Sequence, residues 1–165
     1  MDLAVLIEEL IQQEIAILRG MLSNLKNEQN ALINKNLESV DQIIEERLDY
    51  LEHFEKLAYK VIEYTRELAN QLKIPLPSEN DFTHDKAIDS LKEIVSVENI
   101  ELYALLGQLE ALFEEIDNQC NITNYFLQTG QGFSNSQYGQ LKPNPLNVQQ
   151  LKKLQIQVMD PDKDE

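Results

Sequence analysis

The sequence predicts an all-α protein, built as an elongated antiparallel three-helix coiled-coil bundle with a flexible C-terminal tail. Apolar residues recur every three or four positions over three long segments, which is the spacing of one helix face. Two short breaks rich in polar residues or proline separate these segments. Aromatic residues make up 7% of the 165 residues, and glycine and proline number five each, a balance that favours helices over sheets.

The first helix is predicted over residues 2–35. Gly20 is a weak helix former inside it, and a single glycine costs only about 1 kcal/mol. The polar segment NKNLES (34–39) predicts a tight turn, where Asn36 or Ser39 can cap the next helix. The apolar face of this helix comprises Leu3, Ile7, Leu10, Ile11, Leu18, Met21, Leu25 and Leu32.

The second helix is predicted over residues 38–72, and it ends at KIPLPSEN (73–80) because proline cannot continue a helix. Since the turn before it is short, the first two helices must run antiparallel. Its apolar face comprises Leu37, Val40, Ile44, Leu51, Phe54, Ala58, Val61, Leu68 and Leu72.

The third helix is predicted over residues 83–127, with Thr83 as its cap and Phe82 and Ala87 forming a hydrophobic staple. A bare hairpin of two helices would leave apolar residues in water, so this helix either returns along the pair or pairs in a dimer. The predicted domains are a bundle at 1–128 and a tail at 129–165. The apolar face comprises Ile88, Leu91, Val95, Leu102, Leu105, Leu109, Leu112, Ile116 and Cys120.

Four charged residues interrupt the apolar faces: Glu14, Glu28, Arg47 and Glu98. If the first turn centres near residue 37, Glu28 and Arg47 lie about level on facing helices. We therefore hypothesise that they pair and fix the register, which is the best-attested use of a buried ion pair. The alternative is that both lie at a solvated edge.

The net charge of −15 argues against nucleic acid and anionic membrane surfaces as partners. Such acidity keeps a chain soluble, or it suits a partner with a basic or neutral apolar surface. Glu8, Glu9 and Glu14 interrupt the first turns, so we expect neither a signal peptide nor a membrane span. The expected location is the cytoplasm.

Residues with catalytic or metal-binding chemistry are few. No glutamate stands three residues before His53 or His84, as a di-iron bundle would require. Cys120 continues an apolar face, which favours a core residue over a reactive thiol. GQG (130–132) lacks the Lys-Ser/Thr of a phosphate loop, and DPDKDE (160–165) lacks the glycine of a calcium loop. We expect no catalytic site, no cofactor and no metal, and therefore no enzyme.

The tail carries apolar residues although the bundle has ended. Tyr125 and Phe126 are expected to close the end of the bundle, whereas Phe133 and Tyr138 have no core to join. A short amphipathic helix is expected at 146–158, too short to be stable alone. It would dock on its own bundle, on a second copy or on a partner, using Leu151, Leu154 and Val158 at helical spacing.

The order of these pieces resembles the FlgN-type flagellar export chaperones. The resemblance covers about residues 3–140. It rests on the Leu-rich first helix with Glu14 and the ExxAL motif at 28–32, then on a polar turn and an ExRxxxL-like run at Glu45, Arg47 and Leu51. It continues with the asparagines of NQCNITNYFL (118–127) and with QYGQ (137–140). The glycine that usually follows the family's Tyr-Gly pair is absent here.

This resemblance implies a non-catalytic cytoplasmic chaperone. Such proteins hold the helical C-terminal segment of hook–filament junction proteins and help deliver them to the type III export gate. The family's C-terminal part binds the client, and its tail tyrosine is suggested to dock on the gate. The matching positions here are Asn121 and Asn124 for the asparagine pair and Tyr138 for the tyrosine.

The residues expected to bind partners combine this implication with the exposed apolar pattern of the tail. The alternative function is a structural coiled-coil subunit or adaptor that self-assembles through its leucine stripes. The full expected set is Asn121, Asn124, Tyr125, Phe126, Phe133, Tyr138, Leu151, Leu154 and Val158.

Overall fold

The computed structural model describes residues 2–95 and 99–128, and within these ranges it is helical with no strand. The all-α class is therefore confirmed for this part of the chain. The first two predicted helices agree with the observed ones to within two residues at each end. The helices are α1 (Leu3–Ile33), α2 (Leu37–Gln71), α3 (His84–Val95) and α4 (Ile100–Gln128), with a 3₁₀ turn at Glu79–Asp81.

A tight turn at residues 34–36 connects α1 to α2. Lys35 has a φ of 56°, and the N–H of Asn36 donates to the carbonyl of Ala31 at 2.9 Å, which satisfies the end of α1. Asn36 Oδ1 then accepts a hydrogen bond from the N–H of Ser39 at 3.4 Å. Of the two predicted caps, Asn36 is therefore the one that begins α2.

The end of α2 repeats this arrangement just before the prolines. Lys73 has a φ of 57°, and the N–H of Ile74 donates to the carbonyl of Ala69 at 2.8 Å. Pro75 follows directly, so the helix cannot resume. The predicted stop at 73–80 is confirmed.

The predicted third helix is wrong in one respect, because it is two helices. Asn99 begins α4, and its Oδ1 accepts a hydrogen bond from the N–H of Leu102 at 3.0 Å. Val95 and Leu102 are seven residues apart, or about two helical turns, so the apolar spacing continues across the break and conceals it. Residues 96–98, and with them Glu98, lie outside the described residues.

The chain reverses direction between α3 and α4. His84 begins α3 and packs against Phe113, in the middle of α4, with ring centroids 6.2 Å apart. Lys92, one turn from the end of α3, forms an ion pair with Glu110. The two helices are therefore antiparallel.

The long helix α4 occupies the place of the predicted third helix, parallel to α1. Gln29 Nε2, near the end of α1, donates to the carbonyl of Gln119 at 3.1 Å, and Leu127 packs beside the last turn of α1. Both α2 and α4 pack against α1, and α3 packs against α2 and α4. Since α3 is only about 18 Å long, it accompanies the other helices along part of their length.

The apolar core has two parts. The larger part is built from all four helices, and the smaller lies at the turn end, the end of the bundle where residues 34–36 connect α1 to α2. The smaller part draws on α1, α2 and α4 but not on α3. It consists of Ala31, Leu32, Val40 and Ile44, with Ile43 and Leu127 partly buried against it.

A buried polar network lies between these two parts of the core along α1 and α2. Arg47 Nη2 is 3.1 Å from Glu28 Oε2, and both side chains are at most 2% exposed. Arg47 Nε also donates to Asn24 Oδ1 at 2.8 Å, and Asn24 Nδ2 donates to the carbonyl of Ile43 at 2.8 Å. The predicted pair is therefore present, and the alternative of a solvated edge is excluded.

Burial raises the pKa of Glu28, although the guanidinium of Arg47 acts in the opposite direction. The loss of hydration is thus not fully recovered by the attraction between the charges. Such a pair contributes less to net stability than to the choice of one register, because a shifted α2 would bury an unpaired charge.

The ring of Tyr50 from α2 packs directly against Gly20 of α1. A Cβ atom at this position would lie 2.6 Å from Cε1 of Tyr50, which is shorter than any normal contact. At Gly107 of α4, by contrast, a Cβ atom would meet nothing within 4 Å. The first glycine makes room for a ring, whereas the second has no such constraint.

This contrast gives a prediction on stability. Gly107→Ala should raise the free energy of unfolding by about 1 kcal/mol, the helix-propensity gain of alanine over glycine. Gly20→Ala has the same gain in helix propensity but must displace the ring of Tyr50. Its free energy of unfolding should therefore stay the same or fall. Urea unfolding followed by circular dichroism measures both. Equal gains in the two variants would show that Tyr50 moves aside without cost.

The ion pair gives a second prediction. Glu28→Gln and Arg47→Met should each lower the free energy of unfolding by about 3 kcal/mol, because each leaves the other charge buried and unpaired. The double variant should lose clearly less than the sum of the two. Urea unfolding of the four proteins in this double-mutant cycle measures the coupling. Strictly additive losses would contradict a direct interaction.

Candidate partner-binding interface

One face of α4 stays exposed along the length of the helix, and we call it the α4 outer face. Its side chains are mostly apolar or small, and Glu114 is its single charged member. Ile100 is 79% exposed and Tyr125 is 60% exposed. The face comprises Ile100, Tyr103, Ala104, Gly107, Ala111, Glu114, Asn118, Asn121, Ile122 and Tyr125, which recur every three or four residues.

The opposite side of α4 carries the buried residues of the core, so this helix has apolar side chains on two sides. The buried residues are Leu102, Leu106, Leu109, Ile116 and Cys120. The exposed positions of α2 differ, since most are charged: Glu38, Asp41, Glu45, Glu46, Asp49, Glu52, Lys56, Lys60, Glu63 and Glu67. A helix that is apolar on two sides is typical of one that has a further packing partner.

Contacts from α1 set the orientation of the last turns of α4. Gln29 Nε2 donates to the Thr123 hydroxyl at 3.2 Å and to Gln119 Oε1 at 3.0 Å, and Thr123 is buried. With Thr123 facing inward, Asn121 is exposed and Asn124 is partly buried. The two asparagines that match the family pair therefore lie one turn apart, Asn121 on the α4 outer face and Asn124 beside it.

The expectation that Tyr125 closes the end of the core is wrong. Its ring is exposed on the α4 outer face, and Leu127 packs against the smaller part of the core instead. The side chain of Phe126, together with Phe133, Tyr138, Leu151, Leu154 and Val158, lies outside the described residues.

Cys120 is a core residue, as the sequence predicts. Its side chain is buried, and burial raises the pKa of the thiol to about 12. Since the thiolate is the reactive form, this cysteine is inert in the folded chain.

A buried ion pair between Glu14 and His84 links α1 to the start of α3. His84 Nε2 lies 2.9 Å and 3.1 Å from the two carboxylate oxygens of Glu14, and neither side chain is exposed. The rings of Phe54 from α2 and Phe113 from α4 meet the imidazole edge-to-face at 5.5 Å and 6.2 Å. All four helices thus meet at this histidine.

Two opposing effects set the pKa of His84. Burial lowers it, but the Glu14 carboxylate raises it by its charge and its hydrogen bond, with Asp85 adding to the same direction. The net result is a raised pKa. Nδ1 of the ring is buried, and within the described part of the chain it has no hydrogen-bond partner.

Sequence reasoning missed this pair because it considered each residue alone. In the sequence, Glu14 interrupts the apolar face of α1, and no glutamate stands three residues before His84. The available signal was that His84, Ile88 and Leu91 share one helix face, so the histidine had to point into the core. Because buried polar groups are hydrogen-bonded, a buried histidine and a buried carboxylate on facing helices are expected to pair.

Two further properties concern the described residues alone. They contain no group of three or more His, Cys, Asp or Glu side chains arranged to hold a metal ion. None of their helices has the length and apolar character needed to cross a membrane.

The raised pKa of His84 predicts a pH dependence. The stability contributed by its protonation is fully present below pH 6.5, the ordinary pKa, and is lost as the pH rises through the folded-state pKa. The free energy of unfolding of the wild type should therefore fall relative to that of His84→Gln between pH 6 and pH 8. The expected fall is about 1.4 kcal/mol for each tenfold difference in the proton affinity of His84 between the folded and the unfolded state. Urea unfolding at both pH values measures the difference, and the titration of Glu28 is common to both proteins and cancels.

Glu14→Gln provides the matched control for this prediction. Without the carboxylate, burial dominates, so the pKa of His84 should fall and the slope of stability against pH should reverse in sign. A wild-type slope that is flat, or that persists in Glu14→Gln, would show that the pair is not what raises the pKa.

The comparison with protein families agrees with this helical architecture. A family model described as FlgN protein matches residues 1–147, which include all the described helices and extend beyond the motifs noted at 3–140. No curated protein and no solved structure shows a significant match to the chain. Because the family model covers most of the sequence, the chain belongs to the FlgN family, a family of flagellar export chaperones.

Proposed function

We propose that this chain binds the helical C-terminal segment of a secreted client of the hook–filament junction type. It acts in the cytoplasm, keeps the client soluble and delivers it to the export gate of a type III secretion apparatus. Family membership supports the chaperone role as such. The client, the gate and the residues that contact them belong to the proposal.

The observation that carries the proposal is the exposed apolar end of α4. Ile122 and Tyr125 lie one turn apart on the α4 outer face, 41% and 60% exposed, directly before the tail begins. Groove-binding helices are held by apolar residues at such i, i+3 and i+4 positions. An aromatic ring next to an aliphatic side chain offers a client helix the kind of contact that dominates interfaces.

The remaining residues of the interface divide by position. Asn121 and Asn124 flank this apolar end and provide amide groups that can donate to and accept from the polar edge of a client helix. Phe126, near the end of α4, and Phe133, Leu151, Leu154 and Val158 of the tail complete the proposed client-binding set. Tyr138 is assigned to the export gate, following the family resemblance.

Charge supports the chaperone role over self-assembly. The net charge of −15 keeps copies of the chain apart while each one holds an aggregation-prone segment. A client helix that carries lysine or arginine beside its apolar face would be attracted by the same acidity. Light scattering of the purified chain separates the readings: the chaperone is a monomer that forms a 1:1 complex, and a structural subunit is a stable oligomer without client.

A pair of substitutions tests the interface. Ile122→Ser with Tyr125→Ser should weaken binding of the client's C-terminal segment by about tenfold or more, since exposed apolar contacts of this size contribute at least about 1.4 kcal/mol at interfaces. The probe is a labelled peptide of that segment from the hook–filament junction protein of the same genome, titrated by fluorescence anisotropy. Circular dichroism checks that helix content is unchanged.

Tyr59→Ser is the matched control, because Tyr59 is an exposed tyrosine on α2, away from this face, and is 42% exposed. Its binding should equal that of the wild type. Leu151→Asp with Leu154→Asp should weaken binding without loss of bundle stability if the tail closes over the client. Equal affinities in all variants would place the client surface elsewhere and remove the support that α4 gives.

A further inference from the structure

We propose that in the absence of client the tail segment 146–158 lies on the first half of the α4 outer face, residues 100–111. The segment then shields the surface and is itself held away from other molecules. Its release on client arrival rests on the proposed function above, whereas the docking itself does not.

The surface has the shape that a small helix requires. Ala104, Gly107 and Ala111 form a row of small exposed side chains, and a Cβ atom at Gly107 would meet nothing within 4 Å. Ile100 and Tyr103 border this row, 79% and 46% exposed. Small residues let another helix approach closely, and the two larger ones supply apolar area.

The sequence of the segment complements this surface. Leu151, Leu154 and Val158 are spaced for one helix face, which would insert between the larger side chains of α4. Lys152 and Lys153 form the densest basic spot of an acidic chain. On the bundle, Glu101 is exposed beside the α4 outer face and Glu114 is exposed within it. These negative charges complement the two lysines of the segment.

The connection is long enough for this contact to be intramolecular. Residues 129–145 provide 17 residues, which span at most about 56 Å when extended. From Gln128 back to Ile100 is about 42 Å along the axis of α4. A tethered segment has an effective local concentration on the order of 1 mM, well above that of a second copy at micromolar protein.

Leu151 and Leu154, which are proposed to hold the client, would be occupied on α4 while no client is present. A segment of this length does not form a stable helix alone in water. Docking on α4 would give it a folded resting place and cover Ile100 and Tyr103, the most exposed apolar pair at the start of the helix. Client binding at the other end of the α4 outer face would then compete for the tail.

Disulfide trapping in the full-length chain tests the docking. One variant carries Gly107→Cys with Leu154→Cys, and the control carries Ala16→Cys with Leu154→Cys. Ala16 is exposed on α1, at about the same height of the bundle as Gly107, since Gln29 and Gln119 are level. Cys120 does not compete, because burial raises the pKa of its thiol to about 12. Mild oxidation at micromolar concentration should close the intramolecular disulfide about tenfold faster in the first variant.

Each outcome decides the proposal. Equal rates in the two variants, or disulfides mainly between chains, would overturn it, the latter in favour of docking on a second copy. Leu151→Asp in the trapping variant should remove the tenfold difference, and a difference that persists would also count against it. The client peptide titration is independent: capture of the peptide without trapping refutes this inference alone, and trapping without capture refutes the proposed function alone.

Discussion

The ion pair between Glu28 and Arg47 requires one register of α2 along α1. The other contacts of α2 share this register. It brings Tyr50 against Gly20 and places Phe54 where the imidazole of His84 can meet it. Sliding α2 by one turn would leave a guanidinium buried without its carboxylate, at a cost of several kcal/mol. Apolar side chains alone would tolerate such a slip far better, because leucine and isoleucine repeat every turn.

Sequence patterns predicted most of the fold because helix periodicity, capping residues and prolines are local signals. The turn at Asn36, the stop before Pro75 and the core role of Cys120 all follow from neighbouring residues. The division of the third helix did not follow, because a seven-residue spacing looks the same within one helix and across a reversal. Contacts between residues distant in sequence establish where α3 lies, among them the contact of His84 with Glu14, seventy positions away.

The sequence predicts which kinds of side chain the candidate interface contains, but not which of them face outward from α4. The sequence showed aromatic residues continuing past the core, and the structure adds that Tyr125 faces outward while Leu127 faces inward. Which of two neighbouring apolar side chains is buried depends on the rotation of α4, and Gln29 sets that rotation from α1. Long-range hydrogen bonds of this kind leave no mark in local periodicity.

The bundle departs from the usual distribution of polar and apolar groups at two places, within the core and on the exposed side of α4. Inside, Glu14 pairs with His84 and Glu28 pairs with Arg47. Buried pairs favour one arrangement of helices, because a shifted arrangement leaves a buried charge unpaired. Outside, α4 exposes apolar side chains, among them Ile100, Tyr103 and Ile122. A subunit that only needed to be stable would gain from the opposite choice on both counts. A chaperone, by contrast, needs a well-defined scaffold and an exposed apolar surface, and this chain combines buried ion pairs with exposed apolar side chains on α4.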